Sequence, residues 1–284
     1  GWSMAMDYML NPLVSTILCG KFAMNFVPSV PYPLWVIGFI SLFTLMNLRN
    51  IQTSARINTV LTAAMSVVIL VFLVFAARYA FSVPHLDAEF FTRPFYDPHT
   101  YSTRSLLGGT SLAVLTYIGF DGISTLSEEV RNPRRNILLA TVLVCLLVGV
   151  LSAVEVYAAQ LVWPSAVPFP DVDTAFVFVA GRAAGPWLFS LIDVTLLVAT
   201  VGSGSGAQLG AARLLYGMGR SNAIPARFFG AINPGSQIPR NNVLFVGAIA
   251  LIGALTLNFE QSVELLNFGA LLAFMGVNCA AFVH

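Results

Sequence analysis

Long apolar runs, separated by short polar punctuation, make up most of this chain. A membrane-crossing helix needs about 20 mostly apolar residues. Eight stretches approach that pattern: 2–20, 33–48, 57–77, 106–127, 137–163, 184–212, 241–258 and 263–283. The runs are continuous, without the apolar–polar alternation over about ten residues that marks a barrel strand. The pattern therefore predicts an all-α, polytopic helical bundle with about eight transmembrane helices. The linkers carry helix breakers, Pro28, Pro31 and Pro33 among them, or short polar runs such as Arg49-Asn50-Ile51-Gln52. The segment 78–105 is longer. It mixes charges with Phe90, Phe91, Phe95, Tyr96 and Tyr101, which fits either a membrane interface or a surface loop with a few buried aromatics.

Composition points the same way. Hydrophobic residues are 57% of the 284 and charged residues 10%, against about 25% charged in an ordinary globular domain. The net charge is +1, so the basic excess of a nucleic-acid binder is missing and the expected partner is the lipid bilayer. Cys19, Cys145 and Cys279 lie in apolar runs and read neither as a metal site nor as a disulfide framework. His85 and His99 fall in the long linker and His284 ends the chain, so no metal is expected. Zinc-protease, nucleophile-elbow and phosphate-loop motifs are absent, and neither an enzyme activity nor a cofactor is expected.

Positive charge gives an orientation. Linkers 49–56, 131–135 and 213–240 hold nine of the 14 Lys and Arg, and the other side holds five. The richer side is the cytoplasmic one, so the first span runs outward and the fourth inward. The chain opens at Gly1 inside an apolar run and ends in another, and no signal peptide is expected before the first span.

Glycines raise two questions. Gly202-Ser203-Gly204-Ser205-Gly206-Ala207 matches a variant of the dinucleotide fingerprint, but no strand precedes it. Gly202/Gly206 and Gly206/Gly210 read as small-residue pairs for close helix packing. The alternative is that Ser203, Ser205 and Gln208 offer polar groups to a cavity. The second question concerns the fourth span, where Asp121 stands between Gly119 and Gly122. A carboxylate at that depth costs about 2.5–3.5 kcal/mol, and each glycine up to about 1 kcal/mol in a helix. Such choices suit a helix that breaks in mid-membrane, with freed backbone groups lining a cavity and half-helix ends facing a zwitterionic or cationic ligand. The competing reading is a kink with Asp121 paired to a neighbouring helix. Candidate substrate-binding residues are thus Tyr117, Ile118, Gly119, Phe120, Asp121, Gly122 and Ser124, with Ser203 from the glycine-rich span. Tyr8 and Asn11, beside Pro12, form either a substrate-facing kink or a packing kink.

Past the break, Glu128 and Glu129 precede Arg131, Arg134 and Arg135. They read as a switchable ion-pair gate or as topology charge. Asn132 and Pro133 suit the cap and first position of the next helix. Asp7, Glu155 and Asp193 are further ionisable groups at depth. Glu155 and Asp193 are either functional or partners for Arg182.

Tyr117 to Asp121, continuing through Glu128-Glu129-Val130-Arg131-Asn132-Pro133-Arg134-Arg135, resembles the sixth-helix signature of amino acid permeases in the amino acid–polyamine–organocation superfamily. Arg213 to Arg220, followed by Ile224-Pro225, resembles the end of the family's eighth helix, and Trp2 to Pro12 the start of its third. Within the family the putrescine-importer branch looks most similar. The resemblance implies a LeuT-type fold of two inverted five-helix repeats. It also implies secondary transport of amino acids or polyamines across the cell membrane, by proton-coupled import or exchange. Ile118, Gly119, Phe120 and Asp121 would lie at the break. Carbonyls there would take the substrate amine, Phe120 would be part of a lid, and Asp121 would face a cationic group or take part in proton coupling. The eight spans would correspond to helices three to ten of a single transporter domain covering 1–284. Residues 1–80 would end the first repeat and 106–284 form the second, without the glycine-rich first helix. Where proton-coupled relatives often carry a lysine, this chain has Met65, which leaves the coupling ion open. A receptor or scaffold that binds amines without moving them is the competing function.

Overall fold

The computed structural model describes residues 2–49, 55–83, 87–98, 101–120, 122–123, 130, 132–164, 167–233 and 238–283. Its regular elements are all helices: α1 (Trp2–Phe26), α2 (Tyr32–Leu48), α3 (Ala55–Ser82), α4 (Ala88–Thr92), α5 (Thr103–Ala113), a 3₁₀ turn (Val114–Thr116), α6 (Pro133–Val162), α7 (Ala175–Ala184), α8 (Pro186–Arg220), α9 (Ala226–Phe229), α10 (Arg240–Thr256) and α11 (Phe259–Val283). Thr59–Ser82, Pro133–Val162, Pro186–Arg220 and Phe259–Ala280 are long and apolar enough to cross a membrane. Helices α2 and α10 are apolar but have 17 residues each. Helix α1 has 25 residues and carries Pro12 inside it, along with Asp7 and Lys21. The protein is an all-α multi-pass membrane bundle.

The span that sequence predicts over 184–212 is α8, running on to Arg220, and the short helix α7 precedes it in what sequence leaves as a linker. Gly185 makes the break between them: its φ of +92° suits glycine, and its amide closes on the Gly181 carbonyl at 2.7 Å. Pro186 then opens α8, at a position where its missing N–H costs nothing.

The chain divides into two compact units. One contains Gly1–Val68, Pro170–Val177 and Ser190–His284; the other contains Ile69–Phe169 and Phe178–Phe189. In the first unit α1 packs on α2, α10 and α11, and α2 packs on α10. Helix α2 buries Val36, Ile40, Phe43 and Asn47, one stripe at helical spacing. The matching stripe of α10 is small: Val246, Gly247, Ala250, Gly253 and Ala254. A Cβ on Gly253 would strike the Leu13 side chain. Lipid is as apolar as leucine, so close approach and interhelical hydrogen bonds, rather than burial from water, hold such helices together.

Those bonds centre on Gln208, which is fully buried. Its Nε2 donates to Thr44 Oγ1 at 2.9 Å and to the Val243 carbonyl at 3.1 Å. Its Oε1 accepts from Asn47 Nδ2 at 3.0 Å, and the same amide of Asn47 donates to the Ser205 carbonyl at 3.0 Å. Helices α2, α8 and α10 are thereby tied at one level.

In the second unit, the most apolar stretch of α6 has no buried side chain. Leu138, Leu146, Leu147 and Val150 face outward, as apolar side chains do when the solvent is lipid. The long linker packs on α6 through aromatic contacts. Tyr157 donates its hydroxyl to the Phe91 carbonyl at 3.1 Å, and its ring lies 5.2 Å from that of Phe95. Phe95 is still 79% exposed, which keeps this segment an aromatic surface of interfacial composition.

Candidate functional site

The fourth apolar segment does not form one continuous helix. Helix α5 begins at a Ser102 cap, whose Oγ accepts from the Ser105 amide at 3.5 Å, and ends at Ala113. Beyond it the hydrogen bonds shorten to three residues. The amides of Tyr117, Ile118, Phe120 and Gly122 donate to the carbonyls of Val114, Leu115, Tyr117 and Gly119 at 3.0–3.3 Å. Gly119 has φ +112°, a conformation from which a Cβ is nearly excluded. Gly122 lies outside the left-handed region. The predicted break therefore exists, and Gly119 makes it. Peptide groups there leave the aligned ladder of an α-helix and bond in three-residue turns instead.

The break opens on a cavity of about 380 Å³. One wall is Thr116, Tyr117, Ile118, Gly119, Phe120 and Ile123; the other is Val144, Cys145 and Val148 of α6. The Tyr117 hydroxyl rests over Gly149, where a Cβ would collide with it. The site thus offers backbone dipoles on one side and apolar side chains on the other. That arrangement suits a small ligand with a cationic head and an apolar stem.

The structure brings Tyr117, Ile118, Gly119 and Phe120 together at this cavity. Asp121, Ser124, Glu128, Glu129 and Arg131 lie outside the described residues. Arg135 is exposed on the first turn of α6. Pro133 opens α6 as expected, but Asn132 does not cap through its side chain. Its backbone is left-handed, φ +52°, and its carbonyl accepts from the Arg135 and Asn136 amides at 3.1 Å.

Tyr8, Asn11 and Ser203 belong to the first unit. The Tyr8 ring packs against Ala211, Leu215 and Val246, close enough that a Cβ on Gly210 would meet it at 3.1 Å. Asn11 Oδ1 accepts from Ser15 Oγ at 3.4 Å, and Ser203 is exposed. The glycine stripe of α8 also differs from the expected pairs. Gly202 and Gly206 face open space, whereas a Cβ on Gly204 would lie 2.6 Å from the Phe43 ring and 2.7 Å from Ser15 Cβ. Of the predicted glycines only Gly210 packs closely, against Tyr8, and the other close contact falls on Gly204 instead. Asp193 is fully buried and accepts from Asn25 Nδ2 at 3.1 Å, so an amide rather than Arg182 answers it. Arg182 donates to the Tyr79 hydroxyl at 3.0 Å and lies over the Trp163 ring. Sequence reading missed Val144, Cys145 and Val148, because nothing separates them from their apolar neighbours in the run.

Fold and site define a multi-pass helical membrane protein whose fourth apolar segment is discontinuous. The chain belongs to the amino acid permease family, whose pattern it matches over residues 1–284. It is similar to low-affinity putrescine importer PlaP of Escherichia coli (strain K12), with 35% identity over 284 residues, 98% of this chain and 61% of that protein. It is also similar to cationic amino acid transporter 4, vacuolar, of Arabidopsis thaliana, with 29% identity over 181 residues, 62% of this chain and 29% of that protein. Branched-chain amino acid permease BcaP of Bacillus subtilis (strain 168) is 23% identical over 310 residues, covering 100% of this chain and 63% of that protein. The chain spans about 61% of the length of the putrescine importers it matches.

Proposed function

We propose that this chain forms part of a secondary transporter that carries amino acids or polyamines across the cell membrane by alternating access, with protons as the coupling ion. The observation that carries the reading is the glycine break opening on the cavity between the fourth segment and α6. Family membership supports it, as does the naming of relatives for putrescine, cationic amino acids and branched-chain amino acids. Backbone carbonyls at Ile118 to Phe120 take the substrate amine, and Asp121, next in sequence, supplies a carboxylate for a cationic group or a proton. Gly122 and Ser124 extend the site, while Glu128 and Glu129 with Arg131 and Arg135 gate it. Residues 1–80 and 106–284 belong to two inverted repeats of one transporter domain. The reading asks nothing of Tyr8, Asn11 or Ser203.

The test is uptake of labelled putrescine and amino acids by the complete protein, with and without Asp121→Asn, over a range of pH. Loss of uptake in the variant, or a displaced pH profile, is expected. Unchanged uptake at every pH removes Asp121 from the mechanism. Counterflow in proteoliposomes is expected as well, and its absence would make the protein a receptor or scaffold instead.

A further inference from the structure

The geometry points to Glu155 as the residue that takes the second ammonium of a diamine, with the inward side of α6 seating the methylene stem. This inference rests on the transport reading for its choice of ligand. Helix α6 has two unlike sides. Leu138, Leu146, Leu147 and Val150 are each at least 60% exposed. The half-buried side runs through Thr141, Cys145, Val148, Gly149, Ser152 and Glu155, which recur at helical spacing. That side is smaller and more polar than lipid contact requires. Its Cys145 and Val148 line the cavity, and its Gly149 receives the Tyr117 hydroxyl.

Glu155 follows Val148 by two turns on the same side, about 10 Å along the axis at 1.5 Å per residue. Helical side chains lean toward the N-terminus, so the glutamate leans toward the cavity end of this stripe. Glu155 lies in a helix long and apolar enough to cross a membrane, where a carboxylate calls for a cation or donors. Among the described residues the ion pairs join Lys21 to Asp171 and Asp173, and none reaches Glu155. A diamine supplies the missing cation: one ammonium sits at the break carbonyls, the stem lies along Val148 and Cys145, and the other ammonium meets Glu155. A monoamine or an amino acid with an apolar side chain leaves Glu155 unanswered, so this residue separates the substrate classes.

The test uses the complete protein, purified, with equilibrium competition by putrescine and by butylamine, which keeps the same stem and one ammonium. Glu155→Gln is expected to weaken putrescine about tenfold or more while butylamine moves little, since a site built for a polar group discriminates strongly by that group. Glu155→Asp is expected to recover part of the loss. Val148→Phe, which fills the stem seat, is expected to weaken both amines together. An unchanged putrescine-to-butylamine ratio in Glu155→Gln overturns the assignment. Equal loss of both amines in Glu155→Gln, with no recovery in Glu155→Asp, overturns it too, because that pattern marks a structural role. Wild-type protein that binds amines but gives no counterflow defeats the transport reading, and the binding ratio still decides Glu155. Wild-type protein that binds neither amine defeats the assignment outright.

Discussion

Replacing Gln208 by leucine keeps the side-chain volume nearly constant and removes one polar junction. Three hydrogen bonds disappear: to Thr44 Oγ1, to the Val243 carbonyl and from Asn47 Nδ2. In membrane proteins such bonds average about 0.6 kcal/mol each, and in soluble proteins about 1 kcal/mol. The sum is about 2–3 kcal/mol. The partners are only partly orphaned, because Asn47 keeps the Ser205 carbonyl, which places the expected loss at about 2 kcal/mol. The assay is reversible unfolding of the purified complete protein in mixed micelles, for Gln208→Leu, Asn47→Ala and the double variant. The Asn47–Gln208 bond should appear as a coupling energy of about 0.5–1 kcal/mol, the low end of the range for contacting residues in a double-mutant cycle. Additive single effects would refute the bond. An unfolding midpoint for Gln208→Leu equal to wild type would refute the whole junction as a source of stability.

Two glycine comparisons test packing from the other direction. Gly204→Ala must push Phe43 or Ser15 aside, so it should lower unfolding stability by about 1–3 kcal/mol, while Gly202→Ala, with open space around it, should not. Equal effects of the two would mean that the α8 contact is misplaced. Gly149→Ala should displace the Tyr117 phenol and reduce amine binding, and Tyr117→Phe, which removes the colliding oxygen, should restore part of it. A double variant no better than Gly149→Ala alone would separate Tyr117 from Gly149.

Much of the fold was legible because a bilayer simplifies the reading. Continuous apolar runs become helices, and their positions survive into α2, α3, α6, α10 and α11 with ends shifted by a few residues. The short α7 was not legible as a separate element. At ten residues it is too short to read as a membrane span, and it falls in the linker before the predicted run at 184–212. The break in the fourth segment could be read because its signal is local: glycine and a carboxylate are costly at depth, and both occur within a few residues.

What stayed illegible depends on which side of a helix meets a neighbour. The glycine pattern of α8 predicts close packing, but residues 202, 204, 206 and 210 occupy different angular positions around the helix. Choosing among them needs the direction of Phe43 and Tyr8, which comes from α2 and α1. The same holds for α6. In sequence, Val144, Cys145 and Val148 are three apolar letters in an apolar run, and Glu155 is an isolated charge. Once the helix is wound and its leucines are seen facing outward, Cys145, Val148 and Glu155 fall on one side with Gly149 between the last two. An acid whose place in the run suggested a surface ion pair becomes part of the same stripe as the cavity wall. The discriminating question for this protein is therefore chemical: whether a cation brought by the ligand satisfies Glu155.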